Sequence, residues 1–208
     1  MAAPITHLVL TNKVYDKFFS DKDKAQFLVG TSFPDIRYLK EIDRDKTHLD
    51  VTSIEDVKQE GSFKAGMLFH NLLDHKREEF LLSKNIYSLC PESKWLTQAV
   101  KFAEDKLLYT KITDWKPYAD YFNDILEQEL TFDVAEIHLE HWHRTLKDYF
   151  SQDPTPESRS AFGHALSFPQ NVVDEIELVF NMIVNIAEVK TYTGNLYNDF
   201  ENIISARS

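Results

Sequence analysis

Apolar residues recur at helical spacing along almost the whole chain, and this periodicity limits the fold more than any other feature of the sequence. The segment from Ile5 to Phe19 is one example, because its apolar positions recur at helix-compatible intervals. No stretch alternates apolar and polar residues for long enough to indicate a strand. The sequence therefore predicts an all-α fold, a compact domain of about eight to ten helices.

Capping residues and helix breakers predict where individual helices begin and end. Residues 23–33 are predicted to form a helix that the following proline ends, and a long polar loop with a short helix inside it is expected from Arg37 to Gly61. The residues further along with the chemistry of helix starts are Ser62, Ser93, Thr131 and Thr155. Gly194 is predicted to stop one helix before a final short helix over 195–205.

Charge and cysteine content exclude several kinds of site. The formal net charge of -11 repels polyanions, so no affinity for nucleic acid is expected, and a phosphate ligand would need local cations. The single cysteine, Cys90, excludes an intramolecular disulfide and a cysteine-based zinc site. Histidine, aspartate and glutamate are left as metal ligands.

The length of the chain and its first residues bear on domain organisation and location. With 208 residues, of which 43% are hydrophobic, the chain is predicted to form a single domain over residues 1–208. The amino-terminal segment MAAPITHLVLTNK lacks the basic region of a signal peptide. No stretch approaches the ~20 apolar residues that cross a bilayer. We therefore expect a cytoplasmic protein without a transmembrane segment, and we leave its oligomeric state open.

One segment, Phe63 to Phe80, carries ionisable residues on a face that should be buried. His70 and Asp74 fall within its apolar arc, one helical turn apart, whereas His75 lies on the polar stripe and is expected to face solvent. Burying a carboxylate without a partner is costly, so Asp74 needs compensation. A histidine and an aspartate four residues apart direct their donor atoms to the same point, as a metal site on one helix requires.

A purely structural interpretation competes with a metal site. His70 and Asp74 could simply pair with each other, or Asp74 could pair with Arg77, because buried histidines satisfied by carboxylates are common. Three further residues favour the metal: one in the first turns of the amino-terminal helix, one directly after a proline that ends a buried helix, and one in the polar loop. They are His7, Asp35 and His48.

Four short motifs in the first part of the chain occur in a specific order. They are ITH at 5–7, FLVGTSFPDI at 27–36, THL at 47–49 and GMLFHNLLD at 66–74. This order resembles the signature of the zinc-dependent phospholipase C family. That family, like the related S1/P1-type nucleases, is all-helical and holds a cluster of zinc ions in a cleft. The resemblance covers residues 4 to about 80 and implies a phospholipase C or P1 nuclease-like fold.

The resemblance also implies a set of ligands and a role for one of them. One zinc would be held by Asp35, His48, His70 and Asp74, and a second zinc would be bridged by Asp74 and completed by His7. Asp35 would be the catalytic base for a metal-activated water, while the cations would neutralise the phosphoryl oxygens. Other divalent metals could take the place of zinc in such a site.

The chain departs from that family in two places. In the secreted members the mature amino terminus, a tryptophan, is itself a ligand, whereas this sequence begins with Met1 and Ala2, which weakens the second metal site. Those enzymes also have a further histidine where this chain has Phe80. The candidate replacements are His138 and His164. A core histidine or a cation near a helix carboxyl end is the commoner role for such residues.

Two functions from different classes follow from these features. The first is a metal-dependent phosphoesterase that hydrolyses a phosphate mono- or diester, with a small phosphoester or a lipid head group as its substrate. The second is a non-catalytic helical protein that uses a structural metal, or only a buried His/Asp cluster, for stability. A phosphohydrolase of the HD type is disfavoured because the chain contains no His-Asp dipeptide, and the motifs of nucleophilic hydrolases and P-loop proteins are absent.

Overall fold

The computed structural model describes residues 3–206, which form α-helices, short 3-10 helices and no β-strand. The eleven α-helices of this part of the chain, α1 to α11, are Pro4–Phe18, Lys24–Ser32, Arg44–Thr47, Ile54–Lys58, Ser62–Ser83, Leu96–Leu108, Lys116–Asp120, Glu136–Phe150, Pro156–Ala165, Gln170–Ile183 and Ala187–Ser205. The all-α prediction is confirmed, and the number of helices exceeds the predicted eight to ten because the one-turn helices α3 and α7 were not predicted. None of the helices in residues 3–206 combines the length and apolar composition that spanning a bilayer requires.

Capping contacts confirm several of the predicted helix ends. Asp23 precedes α2 and accepts a hydrogen bond from the backbone amide of Gln26 at 2.8 Å. Helix α2 ends at Ser32 and continues as the 3-10 helix Phe33–Leu39, as expected where a proline follows. The segment expected to be a polar loop, 37–61, contains two short helices rather than one, α3 and α4.

The predicted helix boundaries at Thr131 and Gly194 are wrong. Thr131 does not begin a helix, because its hydroxyl donates to the carbonyl oxygen of Gln128 at 2.7 Å instead of capping downstream amides. Gly194 does not end a helix, since α11 continues through it. The buried side chains of Tyr192 and Leu196 lie on either side of Gly194, and their packing outweighs the low helix propensity of glycine.

Helices α2 and α5 pack at very close range because each has a glycine at the contact. A Cβ atom added at Gly66 of α5 would lie 2.2 Å from the carbonyl oxygen of Phe27, and one added at Gly30 of α2 would lie 2.1 Å from that of Phe63. No side chain fits at such distances, so glycine is required at both positions. The backbone of α2 therefore lies directly against the first turns of α5.

The amino-terminal end of α1 is capped by a side chain from α6. Ala3 offers no side-chain cap, but Asp105 Oδ1 accepts hydrogen bonds from the backbone amide and the hydroxyl of Thr6, both at 2.7 Å. The amide of Ile5 lies 3.4 Å from Asp105 Oδ2. A carboxylate from another helix thus satisfies amides that α1 leaves unpaired in its first turn. This contact fixes the start of α1, and with it the position of His7.

A buried ion pair joins α5, α6 and α11. Arg77 Nη2 of α5 lies 2.8 Å from Glu104 Oε1 of α6, and neither residue is exposed to solvent. The hydroxyl of Tyr192 on α11 donates to the same carboxylate oxygen at 2.9 Å. Arg77 therefore pairs with Glu104 rather than with Asp74, so another group must compensate the charge of Asp74.

Candidate metal centre

All five residues predicted to form a metal site meet in the interior of the helical fold. His7 lies on α1, Asp35 lies in the 3-10 helix after α2, and His48 follows the last residue of α3. His70 and Asp74 lie one turn apart on α5. Each of the five residues is at most 7% exposed. The chain segments that carry them are far apart in sequence, so the tertiary fold brings them together.

The close contact between α2 and α5 orients His70. Its Nδ1 lies 2.8 Å from the carbonyl oxygen of Thr31. A carbonyl oxygen only accepts, so Nδ1 carries the ring proton of the neutral imidazole and Nε2 carries the lone pair. Nε2 is buried and has no hydrogen-bond partner among residues 3–206. It faces two carboxylates, at 3.9 Å from Asp35 Oδ1 and 3.5 Å from Asp74 Oδ2.

His48 is oriented by the residue that precedes it. The hydroxyl of Thr47 lies 3.2 Å from the carbonyl oxygens of Pro34 and Arg44 and 3.1 Å from His48 Nδ1. Because the single hydroxyl proton is used on a carbonyl oxygen, the hydroxyl accepts from Nδ1, and the lone pair of His48 lies on Nε2. This nitrogen is also buried and without a hydrogen-bond partner in the described part of the chain. The contact with Pro34 ties His48 to the 3-10 helix that carries Asp35.

Asp74 lies between two histidines. His7 Nε2 is 3.1 Å from Asp74 Oδ1, and the rings of His7 and His70 stack with their centroids 4.0 Å apart. The contact with His7 holds one carboxylate oxygen, while the other oxygen lies on the side of His70. Asp74 therefore connects α1 to the inner part of the cluster.

Two overlapping groups of side chains have the spacing of metal ligands. The ligand atoms of His7, His70 and Asp74 lie within 4.8 Å of one another, and so do those of Asp35, His48 and His70. Only Nε2 of His70 has a lone pair to offer, and one imidazole lone pair binds one ion. The two groups therefore share a common point instead of forming two separate sites.

Burial keeps both inner histidines neutral. It lowers the pKa of His48 to about 3 and that of His70 to about 4, and the attraction of nearby carboxylates does not reverse this effect. Burial disfavours ionisation of Asp74 as well, but interaction with His70 and His7 holds the pKa of Asp74 well below its usual value. At neutral pH an ionised carboxylate thus faces unprotonated imidazole nitrogens. Metal binding requires this protonation state.

Several buried lone pairs face one another without a donor between them. Asp35 Oδ1, His48 Nε2 and His70 Nε2 have no hydrogen-bond partner within residues 3–206, and Arg37 Nη2 approaches Asp35 Oδ1 only to 4.0 Å. Each unsatisfied buried polar atom costs about 1–3 kcal/mol. A divalent ion would satisfy all three atoms at once. Imidazole nitrogen and carboxylate oxygen are donors that zinc accepts, so the residues fit this metal.

A small cleft borders the cluster, and Asp35 is the one member of the five that lines it. The walls of the cleft are mostly apolar and include Phe102, Trp142, Phe162, Leu166 and Phe168. Lys101 of α6 is the cation in its wall, and burial lowers the pKa of Lys101 against the opposing fields of Asp35 and Asp74. A ligand in the cleft would therefore touch the cluster through Asp35.

The other candidate ligands do not join the cluster. His138 Nε2 lies 3.3 Å from Glu41 Oε2, where both side chains are more than a third exposed. His164 is exposed and its Nδ1 lies 3.1 Å from the carbonyl oxygen of Phe168. Residues 1–2, which stand where the resemblance has a terminal ligand, lie outside the described residues. The described cluster therefore consists of the five predicted side chains, all of which lie in the four motifs.

Sequence reasoning missed the residues that orient and surround the cluster. The contact of His70 with Thr31 involves a backbone oxygen, which every residue has, so the identity of residue 31 does not reveal the contact. The sequence of α6 does contain a signal in its charged residues. Lys101 stands between apolar residues in the run AVKFAEDKLL, and both Lys101 and Asp105 are buried.

Comparisons with known proteins add no further assignment. No protein-family model, no curated protein and no solved structure gives a significant match to this chain. The resemblance stated above depends on the four short motifs alone.

Proposed function

We propose that the chain binds one zinc ion through Asp35, His48, His70 and Asp74 and hydrolyses a phosphate mono- or diester. The observation that carries this proposal is the convergence of three buried acceptor atoms, Asp35 Oδ1, His48 Nε2 and His70 Nε2. Acceptors that face one another repel, and burying them without a donor or a cation is costly. A metal ion at their common point resolves this conflict.

One ion fits the contacts better than two. A second ion would need His7 Nε2 and Asp74 Oδ1, which already form a contact of 3.1 Å with each other. A hydrogen bond from a histidine to a metal-binding carboxylate orients that carboxylate and tunes its basicity. His7 has this role in the one-ion site. Manganese or iron would use the same nitrogen and oxygen donors if zinc were scarce.

The chemistry of such a site divides between the ion and the protein. A divalent ion held there supplies Lewis acidity, which makes a nearby water acidic and offsets the charge of a phosphoryl group. Asp35 borders both the cluster and the cleft, so its carboxylate is placed to accept the proton of that water. Thr31 and Thr47 hold the rings of His70 and His48 in place while this happens.

The order of the motifs supports the choice of phosphate esters. In the family that the motifs resemble, clustered zinc ions act on phosphodiesters, and we include the phospholipase C or P1 nuclease-like fold in the proposal. The net charge of -11 would disfavour a phosphate ligand, but a metal ion reverses the sign of the field where the ester binds. A small phosphoester and a lipid head group both have the required chemistry.

A non-catalytic role is the second candidate, and the burial of the cluster favours it. All five residues are at most 7% exposed, and a structural metal is enclosed by protein ligands whereas a catalytic one keeps an open position. In this alternative the ion, or the His/Asp cluster by itself, would stabilise the contact between α1, α2 and α5.

Hydrolysis assays on zinc-loaded protein test the proposed activity. The substrates are para-nitrophenyl phosphate and bis(para-nitrophenyl) phosphate. We expect turnover that a chelator abolishes and added zinc restores. Asp35→Asn should lower the rate by at least about a hundredfold, because it removes a general base and a ligand. Asp45→Asn, which changes an exposed aspartate of α3, is the matched control and should leave the rate unchanged.

The two candidates differ in what the assays show. Unchanged turnover by Asp35→Asn, or in the presence of chelator, would contradict a metal-dependent mechanism at this site. Protein that retains zinc, loses thermal stability in chelator and hydrolyses neither ester would favour the structural role.

A further inference from the structure

Lys101 is a largely buried cation outside the ion pairs of residues 3–206. It is 7% exposed and projects from the middle of α6 into the wall of the cleft that Asp35 also lines. Among residues 3–206 no carboxylate lies within ion-pair distance of its ammonium group, whereas Arg77 on α5 is paired with Glu104. An ammonium group held in the wall of a cleft without an ion pair is suited to an anionic ligand.

Trp142 lines the same cleft and carries a buried donor. Trp142 of α8 is 1% exposed, and its indole Nε1 has no hydrogen-bond partner in the described part of the chain. Buried indole N–H groups usually find an acceptor. The rest of the cleft is mostly apolar, and the side-chain acceptors in its lining belong to Asp35, Tyr38 and Gln98. An ammonium group without an ion pair among residues 3–206 and an unsatisfied indole N–H, in a largely apolar wall, are complementary to an anion.

We propose that Lys101 and Trp142 form an oxyanion-binding subsite that holds a phosphoryl oxygen of the substrate beside Asp35. This inference rests on the proposed phosphoesterase function for the identity of the anion. Lys101 would supply the charge and Trp142 an N–H, and both residues line the cleft together with Asp35. Both residues are positioning residues for the phosphoryl group, and neither is a ligand of the ion.

Binding of inorganic phosphate to zinc-loaded protein, measured by isothermal titration calorimetry, tests the subsite. Lys101→Met keeps the length of the side chain but removes the charge, and we expect phosphate affinity to fall about ten- to a hundredfold. Lys101→Arg retains the charge and should keep most of the affinity. Trp142→Phe removes the N–H and should weaken binding about three- to tenfold. Lys106→Met is the matched control, because Lys106 lies on the same helix but pairs with Asp153 at the surface.

The outcomes separate the subsite from the proposed function when zinc content and ester hydrolysis are measured on the same samples. If Lys101→Met and Trp142→Phe bind phosphate as tightly as the wild-type chain, the subsite is refuted, whatever the zinc content. An equal loss in Lys106→Met would also refute it, because general surface charge would then explain the effect. If the wild-type chain holds no zinc and hydrolyses no ester but Lys101→Met still loses phosphate binding, the subsite survives and the phosphoesterase proposal fails. If Lys101→Met does not fold, phosphate binding by Trp142→Phe provides the test.

Discussion

His70 donates its Nδ1 proton to the carbonyl oxygen of Thr31 across a distance of 2.8 Å. This bond determines which nitrogen of the ring faces Asp35 and Asp74, and it exists because α5 and α2 approach closely enough for a side chain on one to reach the backbone of the other. The orientation of His70 therefore depends on how α2 packs against α5 one helical turn away from that residue. Gly66 and Gly30 make that packing possible.

Gly66→Ala tests this dependence. A Cβ atom there would lie 2.2 Å from the carbonyl oxygen of Phe27, so α2 and α5 must separate. We expect unfolding free energy to fall by about 3 kcal/mol, the upper part of the range for overpacked cores, and zinc affinity to fall with it. Gly194→Ala is the control, since nothing lies within 4 Å of a Cβ atom there, and it should stabilise α11 by about 0.5–1 kcal/mol. Urea denaturation measures both effects. If Gly66→Ala left both the free energy of unfolding and the zinc affinity unchanged, the two helices would tolerate separation.

Asp105 should make stability depend on pH. Burial raises the pKa of Asp105 to about 7, and the hydrogen bonds from Thr6 and Ile5 only partly oppose this shift. The folded state therefore holds a proton that the unfolded chain releases above pH 3.8. The resulting stabilisation is complete below that pH, declines as pH rises and is lost above about pH 7.

The size of this effect follows from the comparison with Asp105→Asn, which cannot titrate. The stability of the wild-type chain relative to Asp105→Asn should fall by about 4 kcal/mol between pH 3.8 and pH 7, at 1.36 kcal/mol per pH unit. Denaturation of both proteins across this range, in the same metal state, measures the difference. A constant difference would mean that Asp105 is already ionised in the folded protein at low pH.

The buried pair of Arg77 and Glu104 should stabilise the packing of α5 against α6. Arg77→Met leaves Glu104 buried without a counter-charge, and we expect a loss of about 3–5 kcal/mol. Adding Glu104→Gln to that variant should recover part of the loss. The exposed pair of Lys17 and Glu201 is the control, and Lys17→Met should change stability by less than about 1 kcal/mol. If both pairs prove equally weak, the interior of the protein is more hydrated than the structure indicates.

Much of the fold could be predicted from sequence because helix formation and helix ends depend on residues that are close together in the chain. The apolar period of α1, the Asp23 cap of α2 and the capping box of α9 at Thr155 are all encoded within a few residues. The errors arose where packing or a competing local hydrogen bond overrides the usual preference of a residue. Packing carries α11 through Gly194, and a backward hydrogen bond removes Thr131 from capping.

The candidate site was also predictable to a large extent, for a different reason. A histidine and an aspartate within the apolar arc of α5 conflict with burial unless something compensates them, so His70 and Asp74 indicate a site without any knowledge of the fold. What surrounds the cluster could not be predicted. The cap from Asp105 and the placement of Lys101 and Trp142 depend on how α6 and α8 pack around it, which no local pattern specifies.

The central claim is that these side chains bind one ion, and the zinc content of protein purified without chelator tests it most directly. Elemental analysis of the wild-type chain should give one equivalent of zinc, with none in His70→Ala, which removes the ligand that both groups of the cluster share. His75→Ala changes the next histidine on α5, which is exposed, and should retain the full equivalent. A wild-type chain without stoichiometric zinc, manganese or iron, or a His70→Ala variant that keeps the metal, would contradict the claim.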